Sequence, residues 1–260
     1  MTASRLQEAL AGRDHLWGGW ITAPSFSGPE DFARAGYDYV GFDTQHGYLD
    51  DADVAVLLRR LEHVPIATAV RLPSAQAAPI GRVLDAGADA VIIAMVETAE
   101  QAAAAVAATR YAPHGVRSFG PLRASLGADT ATLQARAGVY VMIETARALT
   151  AVDEICAVPG LAGVYVGPAD LAVSLGYPAT GATSPEVAEA IDRIGGAATA
   201  AGLVAGIHAG DGPTGKALSR RGFRLLTLAS ESQALRYGAA DQLRLATELG
   251  GPGDTTKGYH

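Results

Sequence analysis

Short apolar runs alternate along the chain with longer stretches whose apolar residues recur at helical spacing. The runs at residues 16–23, 39–43, 66–71, 90–96, 139–144, 163–166, 203–208 and 224–229 are rich in Val, Ile, Leu and Tyr. They lack polar alternation, as expected of parallel strands buried on both faces. Helical patterns lie between and after them, at 29–35, 51–62, 76–85, 99–109, 149–157, 185–201, 214–221 and 231–249. The punctuation agrees. Ser184 precedes Pro185, an N-cap followed by the residue best suited to a first helical position. Gly36, Gly87, Gly202 and Gly222 each stand where a helix must stop before a strand. Eight strand–helix units predict an α/β fold, a (β/α)8 barrel of the TIM type. An open, doubly wound sheet is the alternative, because periodicity does not say whether a sheet closes.

Two segments break the period. Residues 111–138 contain Pro113, Gly115, Gly120, Pro121 and Gly127 and read as a long loop with one short helix. Long loops on a rigid scaffold commonly carry function. Residues 250–260 read as a flexible tail beyond a single barrel domain at 1–249.

Composition narrows the classes. The chain has 260 residues, close to the length one barrel needs, with 49% hydrophobic and 18% charged residues, so a large core is expected. A net charge of -7 and a pI near 5.3 argue against nucleic-acid binding, which needs clustered Lys and Arg. The lone Cys156 excludes an internal disulfide framework and a cysteine-based zinc site. The apolar run at 90–96 stops at Glu97, too short to span a membrane, and residues 1–10 are polar with no signal-peptide core. A soluble, cytoplasmic protein is expected.

In a parallel barrel the reactive groups lie at the C-terminal ends of the strands. Here those ends read Asp43-Thr44-Gln45-His46-Gly47, Val70-Arg71, Ile143-Glu144-Thr145 and Val166-Gly167-Pro168-Ala169-Asp170. Charges at the ends of apolar strands call for partners or ligands. Glu144 and Asp170, on neighbouring strands, can hold Mg2+ or Mn2+ and leave positions open. A structural alternative has Asp170 capping the helix that follows it and Glu144 paired with Arg147. His46 can take a proton from a substrate hydroxyl. Arg71 can clamp a carboxylate, or pair with Asp43 or Asp85 with no ligand at all. Amides near Gly167 suit a carboxylate, or belong to an ordinary turn. The glycine-rich run 206–212 reads as a turn, and His208 either faces the mouth or is a satisfied core residue, with the core reading preferred.

The order of these blocks, with Leu84-Asp85-Ala86-Gly87, Met95-Val96, Arg110-Tyr111-Ala112-Pro113 and Gly115-Val116-Arg117, resembles the 4-hydroxy-2-oxoheptanedioate aldolase family. These are metal-dependent class II pyruvate aldolases of the phosphoenolpyruvate/pyruvate barrel superfamily. The resemblance covers residues 15–248. It implies Glu144 and Asp170 as metal ligands and Arg71 as the residue that binds and polarises pyruvate. It implies His46 as the catalytic histidine with Asp85 as its carboxylate partner, and the backbone of Gly167, Ala169 and Asp170 as a substrate-carboxylate cradle. It further implies a divalent metal cofactor (Mg2+, Mn2+ or Co2+, with Zn2+ as an option). Its members form homohexamers, trimers of dimers that exchange a C-terminal helix, here 231–249. The sequence departs from many members at Gln45, Ala94 and Met142. Met142 replaces a glutamine and bears on substrate preference.

The activity implied is reversible aldol cleavage of 4-hydroxy-2-oxo acids to pyruvate, or a related 2-oxo acid, and an aldehyde. Lys216 and Lys257 are the only lysines and neither falls at a strand end, which argues against a Schiff base. One alternative is a lyase for acyl-coenzyme A esters, for which only Arg117 and Arg123 in the long loop offer basic groups. Another is a non-catalytic barrel that binds 2-oxo acids.

Overall fold

The computed structural model describes residues 3–180 and 184–248. The expected tail and residue 249 of the expected last helix lie outside them. Eight strands form the barrel: β1 (Leu16–Ile21), β2 (Tyr39–Asp43), β3 (Ala67–Leu72), β4 (Ala90–Ile93), β5 (Gly138–Ile143), β6 (Gly163–Val166), β7 (Val204–His208) and β8 (Leu225–Ser230). Each pairs in parallel with its sequence neighbour, and β8 pairs with β1 to close the barrel. The open-sheet alternative is thereby excluded.

The helices are α1 (Arg5–Gly12), α2 (Ser27–Arg34), α3 (Asp51–Arg60), α4 (Ala77–Asp85), α5 (Ala99–Thr109), α6 (Thr130–Arg136), α7 (Ala146–Thr150), α8 (Val152–Cys156), α9 (Pro168–Ser174), α10 (Pro185–Ala200), α11 (Gly212–Ser219) and α12 (Glu231–Glu248). The expected helix at 149–157 is two short ones, α7 and α8, meeting at Ala151. The short helix in the long loop is α6, capped by the Asp129 side chain.

Two apolar layers hold the fold. The outer one lies between barrel and helices and includes Val54, Leu57 and Leu58 of α3, Ile80 and Val83 of α4, and Ile191 and Ile194 of α10. Each such side chain contributes about 1.5–3 kcal/mol through burial. The inner one fills the barrel with Trp20, Tyr39, Tyr140 and Tyr165 beside Ala67, Ala69 and Ala90. Rings this large fit because glycine stands opposite. A Cβ on Gly18 would come within 2.1 Å of the Tyr39 ring, and one on Gly41 within 2.1 Å of Trp20. The Tyr39 and Tyr165 hydroxyls are satisfied by Thr227 Oγ1, at 2.9 and 2.7 Å.

α1 closes the N-terminal end of the barrel. Ser4 and Gln7 form a reciprocal capping box, and Leu6 joins the inner layer. The Arg5 amide donates to the buried Asp89 carboxylate at 3.2 Å. At the other end α12 has no buried residue along its 18 positions, and Leu235, Tyr237 and Leu243 stand exposed on it.

Candidate active site

β2 and β3 end side by side, with Asp43 paired in register with Arg71. Arg71 donates from Nε to Asp43 Oδ1 at 2.9 Å and from Nη2 to Oδ2. The same carboxylate accepts from Trp20 Nε1 at 3.1 Å and from the amides of Gln45 and His46, both at 3.0 Å. Burial alone would raise the Asp43 carboxyl. The hydrogen bonds and charge of Arg71, with the two amides, outweigh burial and hold it below the ordinary range. Arg71 is therefore anchored on one edge of its fork, with the rest facing the barrel mouth.

The two carboxylate candidates lie at the ends of β5 and β6. Glu144 is buried, and Oε1 accepts the Met95 amide at 2.7 Å. Met95 holds φ at 55°, a left-handed conformation that costs a non-glycine residue about 1–2 kcal/mol and that aims its amide at Glu144. Glu144 Oε2 is buried with no hydrogen-bond partner among the described residues. Burial raises the Glu144 carboxyl most. The Met95 amide opposes this, the charge of nearby Asp170 adds to it, and Arg71 opposes it; the net shift is upward. Gly167 is required here: a Cβ would stand 2.4 Å from Glu144 Oε2. Asp170 does not cap α9. It sits in the first turn, behind the N-cap Gly167 and Pro168, and no side chain caps that helix. Arg147 pairs with Glu97 at 3.4 Å, not with Glu144.

An unpartnered buried carboxylate oxygen beside a second carboxylate suits a cation. No group of three or more His, Cys, Asp or Glu side chains among the described residues is arranged to hold one. Two protein carboxylates, with further positions for substrate and water, are what Mg2+ commonly takes.

These groups surround a cavity of about 400 Å3 lined by Trp20, His46, Arg71, Met142, Asp170 and His208, among others. His46 stands exposed at its rim, with its backbone fixed by Asp43. The turn carrying it passes close to β1: Tyr48 donates to the Thr22 carbonyl at 2.7 Å, and a Cβ on Gly47 would meet that oxygen at 2.4 Å. The mouth thus brings together Arg71, His46, Asp170 and the backbone of Gly167 and Ala169, with Glu144 against Gly167 in its wall.

Asp85 is not among them. It is the last residue of α4, which runs back to the N-terminal end of the barrel before β4, whereas His46 follows β2 at the C-terminal end. Within one chain Asp85 accepts from Arg117 Nη2 at 2.7 Å, and no His46–Asp85 pair forms. Arg123 lies at the same far end, against Gly87 in a cavity shared with Arg5 and Asp89. The basic groups expected to serve an acyl-coenzyme A lyase are therefore remote from the mouth of their own chain.

His208 was expected in the core, satisfied. It lines the cavity instead, edge-on to Trp20 with ring centroids 5.6 Å apart. Trp20, Tyr165, Thr22 and Ser230 also line the mouth and escape a reading based on charged strand ends, because they carry no charge themselves: Trp20, Thr22 and Ser230 stand at the ends of β1 and β8, and Tyr165 lies inside β6. For Trp20, Thr22 and Ser230 the one available signal was position, at the ends of the closing strands.

The sequence between residues 18 and 236 matches the family model described as HpcH/HpaI aldolase/citrate lyase. The chain is 38% identical over 237 residues to a hydroxypyruvate/pyruvate aldolase of Paraburkholderia phytofirmans, covering 87% of this chain and 91% of that protein. It is 35% identical to a 4-hydroxy-2-oxovalerate aldolase of Novosphingobium aromaticivorans, covering 87% and 88%. Among solved structures, an HpcH/HpaI aldolase/citrate lyase family protein of Burkholderia cenocepacia superposes with a TM-score of 0.87 at 33% identity, covering 94% of this chain and all of that one. With the family model spanning most of the chain, and these relatives aligned over nearly their whole length, the chain belongs to the HpcH/HpaI aldolase/citrate lyase family and is a carbon–carbon lyase of the aldolase type.

Proposed function

We propose that the protein catalyses reversible, divalent-metal-dependent cleavage of 4-hydroxy-2-oxo acids to pyruvate, or a related 2-oxo acid, and an aldehyde. The observation that carries this reading is Glu144: a buried carboxylate with one oxygen unpartnered, beside Asp170, facing the anchored Arg71. Glu144 and Asp170 would hold the ion. When bound, such an ion supplies concentrated positive charge that stabilises a developing enolate.

The side chains account for the rest. Arg71 keeps its remaining donors toward the mouth, where they meet the 2-oxo oxygen as it gains charge. The backbone of Gly167, Ala169 and Asp170 receives the substrate carboxylate. His46, free at the rim, takes the proton of the C4 hydroxyl. The C4–O electrons then form the aldehyde carbonyl, the C3–C4 bond breaks, and its electron pair passes to the enolate, which takes a proton at C3 to give the 2-oxo acid while His46 gives up the proton it took. Lys216 sits exposed on α11, so no lysine among the described residues lines the mouth and a Schiff base is not supported. The relatives named hydroxypyruvate/pyruvate aldolase and 4-hydroxy-2-oxovalerate aldolase support the same reaction class.

The reading extends to assembly. The bare length of α12, with its exposed Leu235, Tyr237 and Leu243, supports a homo-oligomer, a hexamer built as a trimer of dimers that exchange this helix. A His46–Asp85 pair can then arise only between two copies of the chain. No helix among the described residues is long and apolar enough to cross a membrane, and we place the activity in the cytoplasm.

The test is pyruvate release from a 4-hydroxy-2-oxo acid. EDTA should abolish it and added Mg2+ or Mn2+ restore it. Glu144→Ala should abolish it irreversibly. Activity that survives both treatments overturns the reading.

A further inference from the structure

Every residue given a role so far follows β2, β3, β5 or β6. β7 also sends a polar side chain into the cavity, and the reaction as described does not use it. His208 ends β7 opposite Thr227 of β8. Its neighbours in the cavity wall are Trp20, Met142 and Tyr165, each no more than 3% exposed. The polar atoms of those neighbours are committed. The Trp20 indole N–H donates to Asp43, and the Tyr165 hydroxyl is bound to Thr227. The His208 ring makes no hydrogen bond to a described residue; the groups that act on it are distant charges and its own burial. Burial lowers its basicity most, Arg71 adds to that, and Asp43 opposes it, leaving the ring pushed down to about 4. It is a neutral imidazole near pH 7, with one donor and one acceptor nitrogen.

The ring is partly exposed to the cavity, so with no partner among the described residues its donor and acceptor stand open to a group of the bound ligand. The bound 2-oxo acid fixes which group that is. Its carboxylate lies toward the β6 turn and its oxo group toward Arg71, so C3 lies toward Trp20 and the β7 end. We infer that His208 hydrogen-bonds a hydroxyl on C3 of the bound 2-oxo acid, making 3-hydroxy-2-oxo acids of the hydroxypyruvate class the preferred nucleophilic component over pyruvate. This rests on the reading of the site under Proposed function and adds the substrate class to it. A methyl group at C3 leaves His208 unpaired. A site built to hydrogen-bond a substrate hydroxyl discriminates strongly against the analogue that lacks it.

The test compares hydroxypyruvate and pyruvate as donors to one common aldehyde, glycolaldehyde, with the metal-loaded protein. Product formation gives kcat/KM for each donor. The wild type should favour hydroxypyruvate. His208→Leu should lower the hydroxypyruvate-to-pyruvate ratio about tenfold or more, and His208→Gln, which keeps a donor and an acceptor, should recover part of it. An unchanged ratio, or an equal fall with both donors, overturns the assignment. Absence of turnover with either donor in the wild type overturns the reading of the site, and the assignment with it. Should His208→Leu fail to fold, the wild type labelled with 13C at histidine Cε1 and loaded with Mg2+ gives a second readout. Hydroxypyruvate should shift the His208 resonance and pyruvate should shift it less; equal shifts overturn the assignment.

Discussion

Asp43 holds Arg71 along one edge of its guanidinium, through Nε at 2.9 Å and Nη2, and both partners are buried. Five donors converge on that one carboxylate. Asp43→Ala would leave Arg71 without its counter-charge and cost about 3–5 kcal/mol of folding stability. Arg71→Lys keeps the charge but loses the planar fork, so kcat should fall on the order of 100-fold with a smaller loss of stability. Denaturant unfolding and steady-state kinetics on the two variants separate anchoring from chemistry.

The same pair sets an acid limit. Asp43 is held below its ordinary value of 3.8 in the folded state. A carboxylate depressed in this way contributes stability that is fully present above the unfolded value and lost as pH falls through the folded one. Thermal unfolding of the wild type should therefore show an Asp43-dependent loss below about pH 4. In Asp43→Asn that part of the acid slope should be missing. An identical slope in both proteins would show that the pair does not control it.

Gly167 tests the carboxylate site without removing a charge. A Cβ there stands 2.4 Å from Glu144 Oε2 and 3.0 Å from Met142 Cε, so Gly167→Ala must displace the carboxylate. The overpacking should cost about 1–3 kcal/mol. Mn2+ affinity, measured by calorimetry, should weaken about tenfold or more, since ligand geometry governs binding at such a site. Unweakened binding would remove Glu144 from the ligand set.

His46 should separate activity from stability. Its side chain is exposed, and Asp43 fixes the turn through the backbone amide alone. His46→Ala should lower kcat on the order of 100- to 10,000-fold, as expected for loss of a general base. Unfolding free energy should stay within about 0.5 kcal/mol of wild type. A large stability loss with unchanged kcat would make His46 structural.

The strands were legible because burial on both faces writes apolar runs, and tight turns mark their ends. The run at 90–96 overshot. β4 stops at Ile93 because Met95 turns into the left-handed region to reach Glu144, and that is a long-range contact no local pattern encodes. The charged strand ends Asp43, Arg71, Glu144 and Asp170 were legible for the complementary reason, that a charge ending an apolar strand demands a partner. His208 was not, because a lone histidine at a strand end reads the same whether it faces the core or the mouth. The register of a closed barrel decides between them. Asp85 entered through the resemblance, which does not say whose His46 it serves: it ends a helix that runs back from the mouth, a barrel length from the His46 of its own chain.

That distance gives Asp85 two separable roles. Within its own chain it neutralises Arg117, a side chain 1% exposed with Nε and Nη1 unpartnered among the described residues. Asp85→Ala should therefore cost about 3–5 kcal/mol, because it strands a buried charge. Asp85→Asn keeps an acceptor oxygen for Arg117 and should cost less. If Asp85 also serves His46, it does so across two copies, and Asp85→Asn should lower kcat well beyond its effect on stability. Mixed assembly decides the matter. His46→Ala and Asp85→Asn subunits, each impaired alone, should regain activity when unfolded together and refolded as mixed oligomers, because some interfaces then join an intact His46 to an intact Asp85. Activity no higher than the mean of the two parents would confine Asp85 to its ion pair with Arg117.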